Sequence, residues 1–63
     1  MLDKKLSTAA IEEIYDLIAA GIDQAGEANA NLFLAKLSLA LANLVGDAAQ
    51  VTQAVEASLR DLN

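Results

Sequence analysis

The chain has 63 residues, 56% of them hydrophobic, and nine acids against four bases give a net charge of −5. It has no Cys and no His, which excludes disulfide frameworks and the common Cys/His zinc sites. Its four bases, Lys4, Lys5, Lys36 and Arg60, are too scattered to form the basic stripe that a duplex-phosphate binder needs.

The first helical signal opens at Ser7, whose hydroxyl can cap the free N–H groups of a first turn. Leu6 and Ile11 stand at the two positions of a hydrophobic staple around it. Ile11, Ile14, Tyr15, Ile18, Ile22 and Ala25 recur at three- and four-residue steps and predict one apolar stripe on a helix over about 8–25. Glu12, Asp16, Ala20 and Asp23 take the opposite face. Gly21 lies inside this helix at a cost of about 1 kcal/mol relative to Ala. It falls at the margin of the apolar face, where a missing Cβ would admit another backbone. Gly26 is the expected stop.

A second helix is expected over about 29–45, capped by Asn29 or Asn31 and stopped by Gly46. Phe33, Leu34, Leu37, Leu41, Leu44 and Val45 form its main stripe. A second apolar flank holds Leu32, Ala35, Leu39 and Ala42, with Ser38 at its border. Lys36, Ala40 and Asn43 make only a narrow polar strip. A helix apolar nearly all round is either central in a protein or crosses a membrane. A crossing needs roughly 20 apolar residues, and Leu32 to Val45 is interrupted by Lys36, so a central helix is expected. The third helix, about 48–62, is capped by Asp47 in an Asp47-x-x-Gln50 variant of the capping box. Ala48, Val51, Val55, Leu59 and Leu62 give its stripe. Gly46-Asp47 alone joins it to the second helix, which makes a tight corner.

The fold expected is therefore all-α: one small helical domain over 1–63, with a flexible N-terminus at 1–6 and three amphipathic helices. No long apolar core follows the N-terminal lysines, so no signal peptide is indicated and a cytoplasmic location is expected. Chains below roughly 70–80 residues usually need a disulfide, a metal or a partner chain to complete their stability. With disulfides and zinc frameworks excluded, oligomerisation is the expected device.

The run Leu37-Ser38-Leu39-Ala40-Leu41-Ala42-Asn43-Leu44-Val45-Gly46-Asp47 resembles the signature of a short bacterial helical family known only as a domain of unknown function. That signature is a Leu-rich helix, then Ala-Asn, two residues and Gly-Asp. Upstream, Ile14-Tyr15-Asp16-Leu17-Ile18-Ala19-Ala20 is similar to the family's aromatic-acid-x-Leu-Ile stretch. The resemblance spans about 14–59, and the Ala/Gln-rich third helix departs from the family pattern. It implies a bacterial source, a helical fold and a larger enzyme as partner, an oxidoreductase of aromatic-compound catabolism.

Few residues invite a chemical role. Glu12, Asp16 and Asp23 read as a solvated face and, functionally, as an acidic docking face for a basic partner. Two carboxylates one turn apart are too few for a divalent-cation site, which wants several converging oxygens. Asn43, one turn before Asp47, reads as a structural amide at the Gly46-Asp47 corner. Lys36 reads as an amine carried to water along its own stem, and Tyr15 as a core or interface aromatic. Ser58-Leu59 lacks the preceding Asp of an acyl-carrier site. No nucleophile–base pair, metal set or phosphate loop is present. No cofactor, catalytic residue, small-molecule substrate, nucleic acid or membrane span is expected. The reading is a non-enzymatic interaction protein, a homo-oligomer or the accessory subunit of a larger enzyme. Its interface is expected at Leu32, Ala35, Ser38, Leu39 and Ala42. The alternative is an acidic antitoxin- or immunity-like protein that neutralises a basic partner.

Overall fold

Three helices account for most of the described residues in the computed structural model, which describes residues 5–60 and 62. Helix α1 is Thr8–Ala25, α2 is Ala30–Val45 and α3 is Ala48–Leu59, with a short 3-10 turn, Glu27–Asn29, between the first two. The described residues contain no strand, and the fold is all-α as expected. Most of the expected flexible segment, 1–4 of 1–6, lies outside the described residues.

Local chemistry accounts for the helix ends. The Ser7 hydroxyl accepts from the Ala10 N–H at 3.1 Å and starts α1. Gly26 ends it, with φ 84 and ψ 159, and its N–H donates to the Ile22 carbonyl. That backbone region is essentially confined to Gly. Gly46 ends α2 in the left-handed conformation, φ 73 and ψ 17, and donates to the Ala42 carbonyl. One residue later Asp47 starts α3, its Oδ1 accepting from Ala49 N–H at 2.9 Å and Gln50 N–H at 3.4 Å. The two-residue corner is thus a stop and a start back to back.

Three details differ from expectation. Asn29 occupies the capping position of α2 but makes no side-chain cap there. Its Nδ2 instead donates to the Ala25 carbonyl at 3.3 Å, which satisfies the end of α1 rather than the start of α2. The third helix ends at Leu59, three residues before the expected 62, and Arg60 is already extended at ψ 143. Finally, the notch at Gly21 receives a side chain and not a backbone. The Phe33 ring of α2 lies where a Gly21 Cβ would stand, with Cε2 and Cε1 only 3.0 and 3.2 Å from that point.

Helix α2 is central. It packs against both α1 and α3, while among the described residues α1 and α3 do not approach each other within 8 Å between Cα atoms. In a closed three-helix bundle the first and third helices would also meet. Here the place that touches both α2 and α3 is left open. The consequence is that no described residue is buried. The radius of gyration is 12.8 Å, against about 10.6 Å for a compact domain of this length.

Candidate protein-interaction surface

The faces of α2 divide between its neighbours and solvent. Ala30, Phe33, Leu34 and Leu37 are half-buried, and so is Gly21 of α1, which the Phe33 ring meets. Further along, α2 and α3 flank an open groove of about 780 Å³. Leu41 and Val45 line it from α2, and Val51, Ala54, Val55 and Leu59 from α3. Of the α3 residues, Val51 and Ala54 are half-buried, while Val55 and Leu59 keep 53% and 64% of their surface exposed. Helix α3 therefore meets α2 to one side of the centre of its own apolar stripe, and the other half of the stripe faces outward.

The five residues expected to form one interface fall on two surfaces. Ser38 and Ala42 line the α2–α3 groove, and the Ser38 hydroxyl donates back to the Leu34 carbonyl at 2.7 Å. Leu32, Ala35 and Leu39 do not line the groove and are exposed on α2, Leu32 at 60% and Leu39 at 73%. The spacing of the five residues placed them on one broad flank. The open groove between α2 and α3 takes Ser38 and Ala42 and leaves the rest of that flank outside it.

The acidic residues Glu12, Asp16 and Asp23 are all exposed on α1. Spacings of four and seven put them on one helix face. Among the described residues no group of three or more His, Cys, Asp or Glu is arranged to hold a metal ion. At the corner, Gly46 and Asp47 do what their sequence suggests. The Asn43 side chain makes no hydrogen bond to them among the described residues and is exposed; only the Asn43 backbone carbonyl comes near, 4.0 Å from where a Gly46 Cβ would stand. Lys36 is exposed. Tyr15, read as part of the α1 stripe, is exposed at the stripe's edge. Leu17, outside that stripe, is exposed as well, and nothing in the helical periodicity of α1 had singled it out.

One feature bears on membranes. Glu27–Val45 is 19 residues long with a mean hydropathy of 1.3, and none of it is buried within the chain. By length and composition alone it is long and apolar enough to cross a bilayer. Comparison of the chain with family models, with curated proteins and with solved structures finds no match.

Proposed function

We propose that this chain is a non-enzymatic helical interaction protein that completes its core by association, as a homo-oligomer and as a small accessory subunit that stabilises or positions a larger enzyme. One observation carries the reading: a chain that is 56% hydrophobic buries none of its described residues. Isolated exposed leucines are ordinary on protein surfaces. A whole apolar inventory left half in water is not, because contiguous exposed patches on monomers rarely exceed a few hundred Å². The exposed Leu32, Ala35 and Leu39 of α2 are the surface offered to a larger partner. The sequence resemblance supports a bacterial setting and an oxidoreductase as that partner, and the lack of a signal-peptide pattern after the N-terminal lysines supports a cytoplasmic one. The absence of His and Cys from the sequence supports assembly over catalysis, since it removes the commonest acid–base and nucleophilic groups.

The continuous helix favours a protein partner over a bilayer. Helix α2 proper has 16 residues, about 24 Å at 1.5 Å per residue, which is short of a hydrocarbon core of about 30 Å. Lys36 stands near its middle. The acidic face of α1, with Glu12, Asp16 and Asp23 all exposed, favours a second reading, an antitoxin- or immunity-like chain that neutralises a basic partner. In that case binding weakens steeply as salt rises through the physiological range, whereas apolar docking does not. Sedimentation equilibrium at micromolar concentration tests the leading reading. The expected result is a reversible oligomer, and a well-folded monomer would contradict it.

A further inference from the structure

Building on that assembly reading, we infer that the open α2–α3 groove is the seat of a second copy of this chain, so that two α2–α3 hairpins close face to face around a two-fold axis. The chain exposes 5634 Å², whereas a folded monomer of its mass exposes about 3,900 Å² by the scaling of surface with size. The excess is roughly 1,700 Å². Granting the six residues outside the described range the full exposure of an unfolded chain still leaves about 1,100 Å². A standard interface takes about 800 Å² from each partner, and obligate homodimers take roughly 1,000–2,500 Å². The surplus over the whole chain is of the size that an obligate dimer buries.

Geometry selects the groove. The missing contact in this fold is the one against α2 and α3 together, since α1 packs on α2 and does not reach α3. A helix pair from a second copy supplies it and makes a four-helix layer of the bundle type. Val55 and Leu59 face outward because the same patch of the other chain covers them, as an isologous interface requires.

Charge permits a second copy on this surface. Two chains of −5 repel, and like charges set opposite each other across an interface cost several kcal/mol. Among the described residues the groove is lined by no Asp or Glu, and the charged residue on it is Lys5. Among the described carboxylates, Glu12, Glu13, Asp16 and Asp23 are on α1, Glu27 is in the turn before α2, and Asp47 and Glu56 do not line the groove. Two acidic chains can meet across this lining with none of the described carboxylates on it.

The experiment is sedimentation equilibrium on the wild-type chain and on two double variants, with helicity followed by circular dichroism. Val55→Glu with Leu59→Glu weakens the dimer on the order of 100-fold, and Leu32→Glu with Leu39→Glu leaves it within about threefold of wild type. Because the chain has no Cys, single cysteines give an independent readout that does not depend on a variant that fails to fold. Val55→Cys and Leu59→Cys are joined across chains by a bis-maleimide spanning about 10 Å, the separation of packed helices, whereas Leu17→Cys on α1 is not. A dimer broken by the α2 pair and untouched by the α3 pair would overturn the groove and leave the assembly reading standing. A folded monomer, whether it stays in solution or floats with phosphatidylcholine vesicles, would overturn both.

Discussion

Replacing Gly21 by Ala tests the contact that fastens α1 to α2. On an exposed helix the change stabilises by about 1 kcal/mol, because Ala loses less backbone freedom on folding. Here the new Cβ would stand on the Phe33 ring, with Cζ nearest and Cε2 and Cε1 at 3.0 and 3.2 Å. The ring must leave the notch or the helices must part. Overpacking of this kind costs typically 1–3 kcal/mol. Set against the helix gain, the net effect is a loss of roughly 0–2 kcal/mol, a fall of up to several degrees in midpoint for a domain of this size. Urea titration at one fixed protein concentration measures it. The diagnostic version is a double-mutant cycle with Phe33→Leu, which removes the ring tip. In that background Gly21→Ala recovers its gain of about 1 kcal/mol, so the two changes couple by roughly 1–3 kcal/mol. If Gly21→Ala stabilised the chain equally in both backgrounds, the ring would not occupy the notch and the α1–α2 packing described above would be wrong.

Asp47→Ala removes the acceptor of two N–H groups at the start of α3 and costs about 1–2 kcal/mol. Asp47→Asn retains most of that stability, and equal urea midpoints for Asp47→Ala and wild type would refute the cap. Gly26→Ala costs roughly 1–3 kcal/mol although nothing lies within 4 Å of its Cβ position, because the penalty is purely one of backbone conformation. Gly46→Asn, in the left-handed region that Asn tolerates, costs less than Gly46→Ala by thermal melting; identical melts for the two would contradict the assigned turn.

What the sequence made legible was the punctuation. Ser7, Gly26, Gly46 and Asp47 act where their chemistry predicts, because capping and positive-φ positions are decided within four residues of chain. Gly21 was recognised as a notch, but whether a backbone or a ring enters it depends on a residue twelve positions away. The apolar stripes were legible as faces and not as contacts. Val55 and Leu59 belong to the stripe of α3 and still face outward, while the smaller Ala54 and Ala57 are half-buried. Periodicity reports which face is apolar, and it cannot report which neighbour covers it. The division of the flank at Ser38 and Ala42 has the same origin. The groove formed with α3 reaches Ser38 and Ala42, and the larger leucines at 32 and 39 are left outside it. Asn43 shows the reverse case: its position beside the corner suggested a bond that the described structure does not make.

The central claim is that folding is completed by association. It is tested most directly by the thermal midpoint of the wild-type chain as a function of its own concentration. Anything that binds the folded form and not the unfolded form raises apparent stability by mass action. The account predicts a midpoint that climbs steadily as concentration rises from about 1 to 100 μM, in parallel with the oligomer seen by sedimentation. A cooperative melt at the same temperature across that range, from a monomer throughout, would contradict it.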